Sequence, residues 1–268
     1  MMVANLKNLL HFNYYKYIRP LFILDKGYIL SKKNSKAPAV VITVAFNSYE
    51  IIELQYEFLR RYLQISFDYV LIDNSTNEAV SKSLENFCLK EHLTYCKIKN
   101  NPYCWPSLSH GYALNIGMEI LRKFYASTQY LLMLDHDLIP FSNIGADYFP
   151  ALATKESEGK IFPWPGLLAL NLDGLAWQNF DFRPTTKNEK IYDTGFALPE
   201  DLVTKGRQLP RVLLSKNEQS NNMQYDGVEI FDGKWLHVVN MSSWAPKDGD
   251  FKSIDSIKNL ITSLENKK

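Results

Sequence analysis

YLLMLDHDLIP, residues 130–140, sets two kinds of chemistry end to end. Tyr130 to Leu134 are apolar or aromatic and read as a buried strand. Two carboxylates follow, Asp135 and Asp137, with His136 between them. Unpaired charge in a low-dielectric site costs several kcal/mol unless it is neutralised. Something must therefore sit against the end of this strand, and a metal ion, a phosphoryl group and plain solvent are the candidates.

Working outward, this strand is the fourth of a series. Ala39 to Ala45, AVVITVA, is a continuous β-rich apolar run of the sort found in parallel sheets, and it ends at Phe46-Asn47-Ser48. The next stretch places Ile51, Leu54, Phe58, Leu59 and Tyr62 at helical spacing, with Ser48 expected as the cap. Phe67 to Ile72 reads as a second strand, ending at Asp73-Asn74-Ser75-Thr76. A helix over Ala79 to Leu89, a short strand over Leu93 to Lys97, a loop over Asn100 to Ser109 and an amphipathic helix over Gly111 to Tyr125 lead back to the strand Gln129 to Leu134. Strand–helix repeated three times and closed by a strand predicts an α/β fold with a mostly parallel sheet. Ligands of such sheets bind beyond the carboxyl ends of the strands. Asn47, Asp73, Asp135 and Asp137 all fall there.

Beyond residue 140 the pattern is less regular. Gly166 to Leu172 and Lys234 to Asn240 read as strands, Glu200 to Lys205 as a short helix, and Phe251 to Glu265 as an amphipathic helix. Tyr192 to Leu198 reads as a turn leading into a strand or helix. A polar break, Ser31 to Pro38, separates an N-terminal extension, residues 1–37, from the first half, 38–140, which ends in the acid pair. Residues 141–268 form the second half.

The chain of 268 residues is 46% hydrophobic, which supports a sizeable core, and its net charge of +1 argues against a nucleic-acid partner. Cys88, Cys96 and Cys104 are odd in number and form no CxxC, against a disulfide framework or a zinc site. The N-terminus has neither a signal-peptide core nor an apolar run near the length of a membrane span. It is basic and aromatic, so it could lie on a membrane surface or pack on the domain, and packing is the favoured reading. The expected location is cytoplasmic, with membrane-peripheral as the variant.

Each candidate has a plain alternative. Asp135 and Asp137 suit a divalent cation shared with phosphate oxygens, or a solvated turn. Asp73 could receive a hydrogen bond from a nucleoside, or form a turn. Asn47 could orient a ligand or begin a turn. Asn115 and Gly117, in a helix that also holds Gly111, suggest close approach of a ligand or of the sheet. His237 could complete a metal site or be a satisfied core histidine. Asp193, before Thr194-Gly195, could be a general base or a turn cap, with Glu200 and Asp201 as competitors. The aromatic turns NPYCWPS and FPWPG could stack on sugars or fill the core.

Taken together, these segments resemble the nucleotide-sugar glycosyltransferases of the GT-A fold, glycosyltransferase family 2 most closely. The resemblance covers about residues 38–140 and rests on VITVAFNSYE, VLIDNST, ALNIGMEIL and LLMLDHD in that order. It implies a Rossmann-like three-layer α/β fold with a mostly parallel central sheet. It also implies a nucleotide-binding set of Ala45, Asn47, Glu50, Asp73, Asn115, Gly117 and Asp135, and Mn2+ or Mg2+ held by Asp135 and Asp137, to which His237 is added from its own strand. The implied partners are a nucleotide-diphosphate sugar donor and a glycan or lipid-linked acceptor, in glycan or surface polysaccharide synthesis. The 38–140 half would bind the donor and the 141–268 half the acceptor. The base does not follow from the family's motif, and Asp193 is chosen on local chemistry. Two other readings stand beside this one: a haloacid dehalogenase-like phosphatase with Asp135 as nucleophile, and a non-catalytic nucleotide- or sugar-binding protein.

Overall fold

The computed structural model describes residues 9–18, 27–30, 36–103, 105–157, 159–214, 228–238 and 254–266. Its first half runs β1 (Tyr28–Leu30), β2 (Ala39–Ala45), α1 (Glu50–Tyr62), β3 (Phe67–Asp73), α2 (Glu78–Lys90), β4 (Thr94–Lys97), α3 (Pro106–Phe124), β5 (Tyr130–Asp135) and β6 (Leu138–Pro140). There follow β7 (Ala151–Ser157), β8 (Lys160–Asn171), β9 (Thr185–Lys187), β10 (Lys190–Tyr192), α4 (Asp201–Lys205), β11 (Arg207–Gln208), β12 (Arg211–Leu213), β13 (Val228–Phe231), β14 (Trp235–Val238) and α5 (Ile254–Glu265).

The apolar runs of the sequence become a strand core covered on both faces. Along β2, Val40, Ile42 and Val44 pack with Met118 and Leu121 of α3. Val41 and Ala45 pack on the other side with Ile52 and Leu59 of α1 and Leu84 of α2. Strict alternation sends successive side chains to opposite layers, so a strand between two helical layers must be apolar throughout. The result is the three-layer α/β fold expected from the sequence. The main sheet has the order β1-β4-β3-β2-β5-β8-β7-β11. Its centre, β4-β3-β2-β5, is parallel, while β5–β8 and β8–β7 are antiparallel.

This order positions the site. From β2 the chain steps outward to β3 and β4, then returns to the other side of β2 as β5. The connections after β2 and β5 therefore diverge and open a crevice at their carboxyl ends, the place where doubly wound sheets bind ligands. Asp135 closes β5 beside this crevice, and β2 ends at Ala45.

One buried amide holds the acid turn in place. Gln55 of α1 is fully buried, and its Nε2 donates to the carbonyls of Asp135 and Leu138, both at 2.7 Å. Its Oε1 accepts from Thr43 Oγ1 and Tyr69 Oη, each at 2.9 Å. Two carbonyls can only accept, so the amide orientation is unambiguous. His136 and Asp137 form the turn between these two carbonyls. The chain then enters a second sheet, β12-β13-β14-β6, in which His237 pairs with Leu138.

Helix boundaries depart from the sequence reading in physical ways. Ser48 does not cap α1; the N-cap position is Tyr49, without a side-chain hydrogen bond. Helix α3 begins at Pro106, five residues before the expected Gly111, because proline has no N–H to leave unsatisfied in a first turn. Asn115 binds across to the loop beyond β8: Nδ2 donates to Asp181 Oδ1 at 2.8 Å, and Oδ1 accepts from the Phe182 N–H at 2.9 Å. A side chain on Gly117 would meet Ile42 at 2.8 Å, so this glycine lets α3 lie close on the sheet. Of the expected strand over Lys234 to Asn240, residues 239 and 240 lie outside the described residues, as do 251–253 of the C-terminal helix and Cys104. Cys88 and Cys96 are buried free thiols.

In the N-terminal segment Phe12 is buried with Tyr103 and Leu108, and Lys16 donates to the carbonyl of Pro184 at 2.6 Å. This face packs on the domain, while Leu10, Tyr14 and Tyr17 are exposed. Among the described residues no helix is long and apolar enough to cross a membrane.

Gln55→Leu strands two buried carbonyls and two hydroxyls. It should lower unfolding stability by about 3 kcal/mol, measured by urea denaturation. A change within about 0.5 kcal/mol, the range of an ordinary surface substitution, would show that the amide does not hold the turn.

Candidate active site

The crevice between the ends of β2 and β5 is an open cleft of about 210 Å³. Val44 and Phe46 line it from β2 and its exit, Pro106, Ser107 and His110 from α3, and Asp135, His136 and Asp137 from the acid turn. Lys155, Trp164, Asp193 and Thr194 close the far side. The structure thus brings together Asp135, Asp137 and Asp193, and His237 reaches Asp137 from behind.

Each of the three carboxylates has a basic side chain of its own. His110 Nε2 lies 3.2 Å from Asp135 Oδ1, His237 Nε2 lies 3.4 Å from Asp137 Oδ1, and Lys155 Nζ lies 2.7 Å from Asp193 Oδ2. Burial opposes the charge on Asp135, but His110, then His237 and His136, outweigh it and hold this carboxyl down at about 2. Burial likewise opposes protonation of His237, yet Asp137, Glu229 and Asp135 push it up to about 10. Burial works against ionised Asp193 as well; Lys155 and the Thr194 N–H prevail and lower it. These are three separately neutralised acids within one cleft.

Sequence reading missed the residues that stand behind these acids. Glu229 lies directly across the β13–β14 hairpin from His237, and its Oε2 is 3.1 Å from His237 Nδ1. Arg211 of β12 pairs with the other oxygen of Glu229. A carboxylate on the second nitrogen of an imidazole fixes its orientation, the arrangement common behind metal-binding histidines. The missed signal was Asp232-Gly233 between two apolar runs, a hairpin cue. Both residues adopt positive φ here. His110 and Lys155 had no local motif, and only the fold carries them to the cleft; Trp164 belongs to the aromatic stretch FPWPG, which lies in β8.

Other predicted residues sit elsewhere. Asp73 is fully buried. Its oxygens accept from the Ser75 N–H at 2.8 Å and Tyr95 Oη at 2.7 Å, with Lys97 Nζ at 3.3 Å. Asn47, at φ 49°, ties the end of β2 to the end of β3, accepting from the N–H groups of Thr76 and Asn77. Ala45 is buried in β2. Asn115 and Gly117 pack as described above. Glu50 lines a separate groove between α1, α2 and α5.

A divalent cation suits the acid turn in kind. Two carboxylates and an oriented imidazole are its usual donors, and Asp135 Oδ1 is buried without a hydrogen-bond partner. The 3.2 Å approach of His110 to that oxygen is an ion-pair contact without hydrogen-bond alignment. In this arrangement no three His, Cys, Asp or Glu groups among the described residues converge closely enough to hold a metal. The imidazoles of His110 and His237 lie against the two acids instead.

No family model matches this sequence, and no curated protein matches it. Among solved structures, the chain is similar to a mannosyltransferase from Pyrobaculum calidifontis in complex with GDP-Man and Mn2+, at 13% identity and TM-score 0.30, covering 52% of this chain and 37% of that one. It is similar to the galactosyltransferase LgtC in complex with donor and acceptor sugar analogues, at 12% identity and TM-score 0.33, covering 53% and 60%. It is also similar to the mannosyltransferase Ktr4p from S. cerevisiae, at 10% identity and TM-score 0.34, covering 63% and 66%. The chain therefore spans little more than a third of the first of these and three fifths of the second. Overlaps of this size leave function to be read from the chemistry of the cleft.

The raised His237 has a sign that can be checked in chelator. Its contribution to stability is whole below its unfolded value of about 6.5 and is lost as pH rises through about 10. The urea midpoint of wild type should exceed that of His237→Gln most at pH 6 and converge with it towards pH 10. A gap that widens with pH would contradict the ion pairs.

Proposed function

We propose that this protein is a glycosyltransferase that moves a sugar from a nucleotide-diphosphate donor to a hydroxyl acceptor, with Asp135, Asp137 and His237 holding Mn2+ or Mg2+. The observation that carries this reading is the placing of three carboxylates at the switch point of the sheet, with Asp193 facing the acid turn across the cleft. A cation on the turn would supply charge stabilisation for the departing diphosphate.

The space supports the reading. A cleft of about 210 Å³ is small for a whole nucleotide sugar, but it adjoins a groove of about 750 Å³, and Phe46 and Asn74 line both. The groove is walled by Ser75, Thr76, Lys97, Asn101 and Ser109, among others, and suits a nucleoside. Asp73 would act from beneath it by fixing Ser75 and Lys97, and Asn47 by joining the loops on either side. Pro106 and Ser107 open the 19-residue α3 in the wall of the smaller cleft. A helix N-terminus presents free N–H groups and partial positive charge, which favours a phosphate there.

The chain's own groups then divide the work. The bond from the anomeric carbon to the phosphate oxygen breaks, and its electron pair leaves with the nucleoside diphosphate. The acceptor oxygen bonds to that carbon, and Asp193 takes its proton. Lys155, held at 2.7 Å, keeps Asp193 ionised and ready to accept. Trp164 gives the transferred sugar or its acceptor an apolar wall.

Release of UDP, GDP or dTDP from a panel of nucleotide sugars, with Mn2+ and small glycan acceptors, tests this directly. Asp193→Asn should slow transfer by about 10²–10⁴-fold, the usual worth of general base catalysis, with little change in nucleotide affinity. Undiminished transfer would remove Asp193 from the chemistry. A covalent aspartyl phosphate at Asp135, with no sugar transferred, would replace the reading with a phosphatase.

A further inference from the structure

Strand β8 contains a glycine where a sheet ordinarily places a larger side chain, and its φ is not positive, so backbone strain does not require it. Space does. A Cβ at Gly166 would lie 2.2 Å from Cζ2 and 2.4 Å from Cε2 of Trp164, and 2.6 Å from Oδ2 of Asp135. Two cleft residues from different strands rest on one bare stretch of backbone.

Pairing explains the coincidence. β5 and β8 are antiparallel, with Leu134 opposite Leu167 as the last pair. One step further in that register sets Asp135 opposite Gly166. Residues directly opposite each other share a face of the sheet, so any side chain at 166 would compete with the Asp135 carboxylate for the same volume. On its other side β8 loses register with β7: Leu152 pairs with Leu168, but Thr154 pairs with Pro163. The single residue Ala153 thus faces the whole stretch from Trp164 to Leu167. An irregularity of this kind bends a strand and re-aims its side chains. Here it turns Trp164 back over Gly166, where the indole ring lies 5.0 Å from the His237 ring and 5.5 Å from the Phe231 ring, with Lys155 Nζ 5.7 Å above it. Glycine inside a strand often marks such a close approach.

We propose that Gly166 is a positioning residue of the cleft, whose missing side chain seats the Asp135 carboxylate against the Trp164 indole and so sets how the acid turn meets a divalent cation. The proposal rests on the reading of the cleft as a cation and nucleotide site, and it concerns how that site is built. A methyl group at 166 would have to displace the Trp164 indole as well as the Asp135 carboxylate, and where the indole is absent only the carboxylate, the movable end of a flexible side chain, has to rotate away.

The test adds that methyl. Gly166→Ala is compared with wild type, and Trp164→Ala/Gly166→Ala with Trp164→Ala, so that in the second pair the methyl meets only Asp135. Three readouts are taken: thermal melting, intrinsic tryptophan fluorescence without ligand, and the Mn2+ concentration needed to bind UDP, GDP or dTDP. Gly166→Ala should shift the emission spectrum. The alanine should raise the Mn2+ requirement by about tenfold in both backgrounds, as loss of a residue supporting a metal ligand does, with melting nearly constant in the Trp164→Ala pair, where only the carboxylate has to move. An unchanged spectrum, or equal Mn2+ requirements in the Trp164→Ala pair, overturns the proposal. If wild type shows no Mn2+-dependent nucleotide binding, the functional reading fails, and the fluorescence comparison still decides whether Gly166 seats the indole.

Discussion

The arrangement of the cleft depends on the four hydrogen bonds of Gln55. This amide sits where α1, β2, β3 and the acid turn meet, and every one of its polar positions is used. A buried, fully satisfied polar group specifies a single geometry, because any shift leaves partners unpaired in a low-dielectric interior. The turn that carries His136 and Asp137 is thereby fixed to the helix and not merely tethered to the strand. From it the chain enters β6, and β6 pairs with the strand that bears His237. The contact between Asp137 and His237 is therefore a consequence of how one amide orients one two-residue turn.

The electrostatics of the cleft follow from placing three acids where a sheet opens. Each has a basic partner of its own: an imidazole on α3, an imidazole on β14 and an ammonium on β7. The arrangement resembles a site that holds its counter-charges locally until a ligand brings others. Glu229 and Arg211 continue the chain of alternating charge outward from His237, so the imidazole has one acid on each side and is oriented by both.

Much of the parallel half was legible because burial on two faces leaves a continuous apolar run; AVVITVA carries that signal throughout, and YVLI within Phe67 to Ile72 and YLLML within Gln129 to Leu134 carry it over shorter stretches. The acid pair was legible because charge at the end of such a run needs an explanation. Asp193 was legible only as local turn chemistry, and the fold brought it to the cleft. Asn115 and Gly117 were seen as unusual, yet they serve packing of α3 on a loop and on Ile42. Asp73 was seen at a strand end, but its partners Tyr95 and Lys97 lie on the neighbouring strand, beyond the reach of any local pattern. Glu229, Gln55 and Gly166 act through residues far away in sequence. Pairing registers and buried hydrogen bonds decide their roles, and periodicity is blind to both.

The central claim is that the acid turn binds a nucleoside diphosphate through a divalent cation. Calorimetric titration of UDP, GDP, dTDP and CMP into the protein, with Mn2+ or with chelator, measures it most directly. The account predicts that one nucleoside diphosphate binds only with Mn2+, and that Asp137→Ala abolishes this binding while the protein remains folded. Binding by none of them to well-folded protein, or binding that persists in chelator and in Asp137→Ala, would contradict it.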